Sequence, residues 1–256
     1  MNDAALLALA FDLAARAGET ILAVRAHGFV TRRKADASPV TEADQRAELL
    51  IAAGLRAATP DIPVVAEEEM AAGHVQAQAA SFWCVDPLDG TREFAAGHDD
   101  FAVCIGLVRD GRPVLGVVGA PASGVIYGGR VGHGAVKRSA AGEQSIEARR
   151  PPAAGIVVAA SRHHGDHARM APFLARWRVA STVNIGSALK FCLLAEGRAD
   201  VYPRFGTTME WDTCAAQAVL EAAGGAVRVV DGDAVLGYGK PGWVNPHFYA
   251  TGRLDR

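Results

Sequence analysis

The chain has few cysteines, and none stands in a metal-binding pattern. The four cysteines all lie in apolar stretches without a Cys-x-x-Cys pair, and are Cys84, Cys104, Cys192 and Cys214. This placement predicts reduced core thiols and argues against a disulfide framework or a zinc site. A nucleophilic cysteine would need a histidine partner. The sequence supplies none nearby, although folding could bring one close.

The sequence also lacks long apolar runs and a strong charge of either sign. No apolar run reaches the roughly 18 residues of a membrane-spanning helix, and residues 1–4 do not start a secretory signal. The formal net charge is −2 with both signs interspersed, which argues against broad electrostatic binding of nucleic acid. We therefore expect a cytoplasmic protein that binds no nucleic acid, with peripheral attachment to the inner membrane left open.

One acidic segment carries most of the chemical information. Residues 82–94 read Phe-Trp-Cys-Val-Asp-Pro-Leu-Asp-Gly-Thr-Arg-Glu-Phe. The apolar start predicts a buried strand that stops at Asp86, so that Asp86 and Asp89 lie at its carboxyl end, where α/β proteins commonly keep their chemistry. Gly90 lets a ligand approach the backbone, and Thr91 adds a hydroxyl. Two carboxylates this close repel each other unless a cation or proton lies between them, and Mg²⁺ prefers such oxygen ligands.

Hydrophobic periodicity predicts a layered α/β (α+β) fold in two halves that flank a cleft. The predicted elements are helices over 6–22, 41–55, 187–196 and 212–223, and strands over 63–66, 82–85, 101–108, 113–119, 125–127, 135–136, 156–160, 199–202, 226–230 and 247–251. The stretch 140–152, rich in small and charged residues, is the best boundary. We expect an N-terminal half over 1–145 and a C-terminal half over 146–256. The glycines within 128–134 are interpreted as turn residues.

Four acidic side chains stand at the ends of predicted elements, and each also has a structural interpretation. They are Glu68, Asp86, Asp89 and Asp212. Glu68 could lie in a solvated turn, and Asp86 could form a turn before proline. Asp89 and Asp212 could cap the helices that follow them. For any one of the four alone the structural interpretation is favoured. For the set, the pairing of two distant segments reverses that preference.

Those two segments resemble the signatures of the inositol monophosphatase superfamily. Segment 86–94, Asp-Pro-Leu-Asp-Gly-Thr-Arg-Glu-Phe, resembles the first signature. Segment 211–225, which begins Trp-Asp-Thr-Cys-Ala-Ala and ends Ala-Gly-Gly, resembles the second. The resemblance runs from the first helix to the last strand. It implies a layered α/β/α/β/α sandwich of the sugar-phosphatase type and a magnesium-dependent, lithium-sensitive phosphomonoesterase.

Further strings are similar to one branch of that superfamily, the bacterial 3′(2′),5′-bisphosphate nucleotidases. They are 92–94, 160–163, 186–192, 202–212, 238–240 and 245–248. The resemblance implies hydrolysis of the 3′-phosphate of 3′-phosphoadenosine 5′-phosphate to AMP, with the phosphosulfate as a second substrate, in sulfur assimilation. The alternatives are a phosphatase for inositol, fructose-1,6-bisphosphate or histidinol phosphate, a non-catalytic sensor, and a purely structural role for the acids. Monomer and homodimer both stay open.

Carried over to matching positions, the resemblance implies a metal site and a water-activating pair. The implied metal ligands are Glu68, Asp86, Asp89, Asp212 and the backbone carbonyl of Leu88. Thr91 is implied to pair with Asp44 and deprotonate the attacking water, with Glu68 on the same side. Asp44 could instead complete a Thr-x-x-Asp capping box. Two or three Mg²⁺ ions are implied, with Mn²⁺ able to substitute and with Li⁺ and Ca²⁺ inhibitory.

The resemblance also implies a substrate pocket, whose residues are Gly90, Thr91, Ser161, His163, Ser187, Lys190, Arg204 and Asp212. The backbone N–H groups of Gly90 and Thr91 suit a phosphate oxygen. Lys190 and Arg204 are the candidates for the 5′-phosphate. Lys190 could instead lie on a solvated helix face, and Arg204 in a surface ion pair. The chain departs from the branch in its histidine-rich segment 163–167, where a solvated loop, a phosphate or ribose contact and a zinc site stay open.

Overall fold

The computed structural model describes residues 1–34, 38–74, 79–162 and 167–253, so that His163 lies outside the described residues. The helices are α1 (Asp3–His27), α2 (Glu42–Ala58), α3 (Glu67–Ala71), α4 (Thr91–Ala95), α5 (His167–Leu174), α6 (Leu189–Ala195) and α7 (Cys214–Ala222). The strands are β1 (Arg32–Arg33), β2 (Pro39–Val40), β3 (Val64–Ala66), β4 (Ser81–Asp89), β5 (Ala102–Arg109), β6 (Arg112–Ala120), β7 (Val125–Arg130), β8 (Ala135–Ser139), β9 (Gly142–Ile146), β10 (Ile156–Ala160), β11 (Val179–Asn184), β12 (Val201–Arg204), β13 (Ala226–Val229) and β14 (Phe248–Thr251). Within these ranges no helix has both the length and the apolar character that crossing a membrane requires.

Helices α1 and α2 form one outer layer. The side chain of Asn2 caps α1 by accepting the N–H of Ala5 at 2.9 Å. Thr41 caps α2, and Asp44 reaches back to the N–H of Thr41, which completes the predicted capping box. Both helices bury an apolar stripe against the inner strands of the larger sheet.

The larger sheet takes in, among the described residues, β3 to β9 in chain order. Strands β3 and β4 are parallel, and every later pair is antiparallel. The predicted end of β4 at residue 85 was too early, because the strand runs on to Asp89 through an irregularity between Asp86 and Asp89. Pro87 has no N–H to give to a ladder, and a bulge is one of the few places where a strand accepts it.

The smaller sheet has the order β11-β10-β12-β14-β13, with β13 and β14 antiparallel to their neighbours. Helices α6 and α7 fill the space between the two sheets, where the largest core cluster lies. On the outer face, Phe173 of α5 packs against Tyr249 and Phe205. The order of layers is therefore α, β, α, β, α, which confirms the expected sandwich.

Two glycines of the larger sheet allow α7 to pack closely. A Cβ on Gly116 would overlap the main chain of Ala215, and one on Gly106 would overlap the sulfur of Cys214. A helix of the expected C-terminal half thus lies directly on the N-terminal sheet, and β9 (Gly142–Ile146) crosses the expected boundary at residue 145. The division into halves 1–145 and 146–256 stays a prediction.

All four cysteines are free and buried, which confirms the expectation of core thiols.

Candidate active site

A cavity of about 770 Å³ is lined by residues from both ends of the chain. The sequence-predicted residues that line it are Asp89, Gly90, Thr91, Ser161, Ser187, Lys190, Arg204 and Asp212. Asp86 and Leu88 are buried in β4, and Asp44 is buried in α2. Folding therefore brings most of the predicted set, which spans more than a hundred residues of sequence, to one place.

Three aspartates share one arrangement, in which a main-chain N–H holds one carboxylate oxygen. Asp86 Oδ1 accepts the N–H of Leu88 at 2.9 Å, and Asp212 Oδ2 accepts that of Met209 at 2.9 Å. Asp89 Oδ2 accepts the N–H of Ala188 in a short hydrogen bond. No described residue donates to the second oxygen of any of the three. Each carboxylate is thus fixed in orientation while one oxygen stays available for another partner.

These carboxylates raise one another's proton affinity. Burial raises the pKa of Asp86 well above its ordinary value, and the charges of Glu67, Asp89 and Asp212 add to the rise. Burial likewise raises the pKa of Asp212, again with Asp89 and Glu67. The pKa of Asp89 rises to about 6 through burial, although the ammonium of Lys190 and the N–H of Ala188 oppose the rise. Without a further cation this group of buried acids is electrostatically unfavourable.

The glutamate that joins the aspartates is Glu67. It lines the cavity, and its charge contributes to the raised pKa of all three aspartates. Glu68 is not among the described lining residues; its Oε1 lies 2.5 Å from Nζ of Lys34. Burial raises the pKa of Glu68 to about 7, with Lys34 opposing the rise. The solvated turn considered for Glu68 is therefore not observed. Its role as a metal ligand stays a prediction, to which the structure adds Glu67.

Lys34 is a second residue that the sequence analysis did not single out. Its Nζ lies 2.6 Å from Oε1 of Glu67 as well as 2.5 Å from Glu68. Burial lowers the pKa of Lys34, but the two glutamates raise it more, so that the net shift is upward. The chain's own ammonium thus neutralises part of the acidic side of the cavity.

Thr91 and Asp44 lie within hydrogen-bonding distance. Thr91 Oγ is 2.9 Å from Asp44 Oδ1 and 3.0 Å from the carbonyl oxygen of Leu88. A hydroxyl has one proton, so it donates to one of these oxygens at a time. The other oxygen of Asp44 accepts from the N–H and hydroxyl of Thr41 at 2.7 and 2.6 Å. The capping role and the contact with Thr91 therefore coexist on opposite oxygens of one carboxylate.

Two cationic side chains, Lys190 and Arg204, line the cavity beside the acids and form what we call its cationic wall. Lys190 is buried, and its Nζ donates to the carbonyls of Ser187 at 2.5 Å and Ile185 at 3.3 Å. Burial lowers the pKa of Lys190 to about 8, although Asp89 opposes the shift. Arg204 donates from Nη2 to the carbonyl of Thr207 at 3.1 Å, and its buried Nε has no partner among the described residues. The solvated helix face considered for Lys190 is therefore wrong, and no described acid pairs with Arg204.

The helix-cap alternatives for two aspartates are also wrong. Helix α4 begins after Gly90 and α7 after Thr213, and neither has a side-chain cap. Asp89 bonds to Ala188, on a distant segment, and Asp212 bonds to Met209, before the helix. Only Asp86 keeps its turn role, through Leu88. For Asp89 and Asp212, capping therefore does not explain the carboxylate.

The donor chemistry fits a hard divalent cation. The group offers carboxylate oxygens from Glu67, Asp86, Asp89 and Asp212, and among described lining residues no thiol or imidazole takes part. In the part of the chain that the structure describes, no three histidine, cysteine or acidic side chains are yet arranged closely enough to hold a metal ion. A cation would nevertheless find carboxylate oxygens that have no hydrogen-bond donor, and its charge would offset the mutual repulsion of the acids.

The cavity also has an apolar side that the sequence analysis missed. Its residues are Met70, Met209, Trp211, Gly242 and Trp243. The bridge between Met209 and Val244 joins the two loops that form this side. Met209 and Trp211 lie in segments that the sequence analysis singled out, but no local signal predicts an apolar side here, because the proximity of these residues depends on pairing between distant segments.

Comparison with known proteins gives a consistent result. The model of the inositol monophosphatase family matches residues 2–254. The 3′(2′),5′-bisphosphate nucleotidase CysQ of Salmonella typhimurium is 42% identical over 94% of this chain and 97% of its own length. The protein of that name from Escherichia coli K12 is 43% identical, over 84% of this chain and 86% of its own. The crystal structure of CysQ from Bacteroides thetaiotaomicron has a TM-score of 0.82 at 32% identity and covers 98% of both chains.

Proposed function

Since the chain belongs to the inositol monophosphatase family, we propose that it is a 3′(2′),5′-bisphosphate nucleotidase. It hydrolyses the 3′-phosphate of 3′-phosphoadenosine 5′-phosphate and gives AMP and phosphate, a reaction that serves sulfur assimilation. The observation that carries this choice is the pairing of an acidic group with a separate cationic wall in one cavity. A substrate with two phosphates needs both: one phosphate is attacked, and the other is held.

The proposed cofactor is Mg²⁺, two or three ions, with Mn²⁺ as a substitute and Li⁺ and Ca²⁺ as inhibitors. The residues that would hold it are Glu67, Asp86, Asp89, Asp212 and the carbonyl of Leu88, with Glu68 retained as a candidate. When bound, such cations neutralise phosphoryl oxygens, acidify water and stabilise a leaving alkoxide. The available oxygens of the three aspartates suit this arrangement.

Thr91 and Asp44 would activate the nucleophile. A water that donates to Thr91 Oγ can pass a proton to that hydroxyl as the hydroxyl donates its own to Asp44, 2.9 Å away. The water oxygen forms the new bond to phosphorus, and the bond from phosphorus to the ribose 3′-oxygen breaks. That oxygen takes a proton from solvent to become the 3′-hydroxyl, and Asp44 then releases its proton to solvent. Burial raises the pKa of Asp44, which suits a carboxylate that must accept a proton. No covalent enzyme intermediate is needed.

Lys190 and Arg204 would bind the 5′-phosphate. Arg204 has a buried N–H without a described partner, and a guanidinium matches the geometry of a phosphate. Lys190 fixes the loop that carries Ser187, and both serines, Ser161 and Ser187, line the same cavity. The backbone of Gly90 and Thr91 remains the candidate for the attacked phosphate. A contact from His163 stays a prediction, as do a cytoplasmic location and the choice between monomer and homodimer.

The test is a panel of phosphomonoesters with and without Mg²⁺. It compares 3′-phosphoadenosine 5′-phosphate, its phosphosulfate, inositol 1-phosphate, fructose-1,6-bisphosphate and histidinol phosphate by released phosphate. We expect kcat/KM for at least one of the two adenosine compounds to exceed kcat/KM for each of the three substrates without a nucleoside by at least about 100-fold, since a lost charged contact costs a few kcal/mol. Equal or better hydrolysis of inositol 1-phosphate would assign the chain to the alternative, an inositol monophosphatase.

A further inference from the structure

Helix α3 carries Glu67 into the cavity, yet it is too short to place itself. It spans Glu67–Ala71, and its N-cap residue, Ala66, offers no side chain to the free N–H groups of the first turn. An isolated helix of one turn is unstable, because its nucleation is unfavourable and its first N–H groups lack partners. The position of Glu67 therefore depends on contacts that other elements make with α3.

The strongest such contact to the backbone of α3 comes from Glu48 of α2. Glu48 Oε2 accepts the N–H of Glu68 at 2.7 Å, and Glu48 Oε1 accepts the N–H of Glu69 at 2.8 Å. The residue is only 4% exposed. A carboxylate suits this arrangement, because each of its two oxygens can accept one N–H, whereas the side-chain amide of glutamine has a single acceptor oxygen. Glu48 thus provides from another helix the cap that α3 lacks.

Glu48 also lies one helical turn after Asp44 on the same buried face of α2. Asp44 contacts Thr91, and Glu48 holds the residues that follow Glu67. One face of a single helix therefore fixes both the partner of the water-activating hydroxyl and the glutamate of the cavity. This relationship explains why a negative side chain is buried beside an acidic triplet, where repulsion alone would disfavour it.

We propose that Glu48 is a positioning residue, which sets the affinity of the site for divalent cations by holding Glu67 through the backbone of Glu68 and Glu69. The inference rests on the proposed metal-dependent function. Glu48 itself does not line the cavity among the described residues, so it acts through Glu67. Second-layer groups of this kind typically change metal affinity about 10–100-fold when they are altered.

The test is calorimetric titration of Mn²⁺ into the metal-free protein, without substrate. Glu48→Gln keeps size and removes one acceptor, and we expect it to raise the Mn²⁺ dissociation constant about tenfold. Glu48→Asp keeps two acceptors at shorter reach and should fall between Glu48→Gln and the wild type. The matched control is Arg56→Gln, which breaks the bidentate contact of Arg56 with the side chain of Glu69 at 2.6–2.8 Å. That contact links the same two helices without holding the backbone of α3, so the Mn²⁺ affinity of Arg56→Gln should stay within about twofold of the wild type.

A double-mutant cycle separates positioning from general loosening. In a Glu67→Gln background, Glu48→Gln should change Mn²⁺ affinity less than about twofold, because the residue through which it acts is already altered. Unchanged affinity in Glu48→Gln, equal losses in Glu48→Gln and Arg56→Gln, or additive losses in the double mutant would each overturn the inference. If Glu48→Gln does not fold, the Mn²⁺ affinity of Glu48→Asp tests the inference: an affinity lower than that of the wild type supports it, and an unchanged affinity overturns it. A wild-type protein that binds no Mn²⁺ would contradict the proposed function itself, a result distinct from equal binding by wild type and variant.

Discussion

Thr91 Oγ lies 2.9 Å from Asp44 Oδ1, although 46 residues separate the two in sequence. This contact joins the start of α4 to the start of α2 and supplies a base for a hydroxyl that faces the cavity. Replacing Thr91 with Val keeps its shape and removes the proton path, so kcat should fall about 10²–10⁴-fold, as for other lost general bases. Thr91→Ser should keep most of the activity. Steady-state kinetics at saturating Mg²⁺ measure both.

Thr41→Val provides the matched control, because it removes the other hydroxyl that contacts Asp44, at 2.6 Å. That hydroxyl belongs to the cap of α2 and not to the cavity lining. Its loss should lower the free energy of unfolding by about 1 kcal/mol and leave kcat within a few-fold of the wild type. A large loss of kcat in Thr41→Val would mean that Asp44 acts mainly by its placement in the cap.

Replacing Asp89 with Asn tests the acidic group directly. The amide oxygen can still accept the N–H of Ala188, so the loop 185–188 should keep its position. The negative charge is lost, and turnover should fall at least about 100-fold, because the contact between this carboxylate and a cation, worth several kcal/mol, disappears. Circular dichroism should show a folded protein whose metal-free melting temperature at pH 8 is no lower than that of the wild type. Near-wild-type turnover would exclude Asp89 from the metal site.

The stabilisation of the folded protein by Mg²⁺ should depend on pH. The pKa of Asp89 rises from 3.8 to about 6, so the folded state binds its proton more tightly than the unfolded state does. Stability without metal therefore falls as the pH rises from about 4 through 6. Burial also raises the pKa values of Asp86 and Asp212, so both groups add to this loss of stability as the pH rises. A bound cation offsets the repulsion only where the acids are ionised.

Scanning fluorimetry with and without 10-fold to 100-fold excess of Mg²⁺ over its dissociation constant checks this expectation. At pH 8 the melting temperature should rise by about 5 °C with Mg²⁺, whereas at pH 5 the rise should be small because protons compete for the same oxygens. An equal rise at both pH values would show that the buried acids do not bind the ion.

Arg204→Gln should separate the two phosphates of the substrate. Arg204 lines the cavity and leaves one N–H without a described partner, so its loss should raise KM for 3′-phosphoadenosine 5′-phosphate about 10–100-fold. The KM for 3′-AMP, which has no 5′-phosphate, should change little. Arg198→Gln is the control: its exposed guanidinium pairs with Glu196 and does not line the cavity, so its loss should affect neither substrate. Parallel losses on both substrates in Arg204→Gln would place Arg204 at the attacked phosphate instead.

Local patterns predicted much of the architecture. The start of α2 at Thr41, the hairpin turn between β5 and β6, and the end of α7 before Gly224 each follow from capping and turn chemistry within a few residues. The acidic segment at the end of β4 is similarly local. These features are readable because the residues that cause them are neighbours in sequence.

The rest depends on contacts between distant segments. Choosing between Glu67 and Glu68 requires the position at which α3 begins, and that start is held by Glu48 on another helix. The interpretation of Gly128 and Gly129 as turn residues is wrong: they lie within β7, where a Cβ would meet the ring of Phe11 or the side chain of Ala222. Strand β11, exposed along its length, has no alternation of buried positions to reveal it.

We infer that Asp86, Asp89 and Asp212 hold divalent cations at the site of phosphate hydrolysis. The most direct measurement is anomalous diffraction from crystals of the protein soaked in Mn²⁺. We expect one or more anomalous peaks within about 2.3 Å of the aspartate oxygens that lack a main-chain donor, a distance set by metal–oxygen bonds. A fully substituted Mn²⁺ soak with no peak at these three side chains, in a protein that still hydrolyses the bisphosphate, would contradict it.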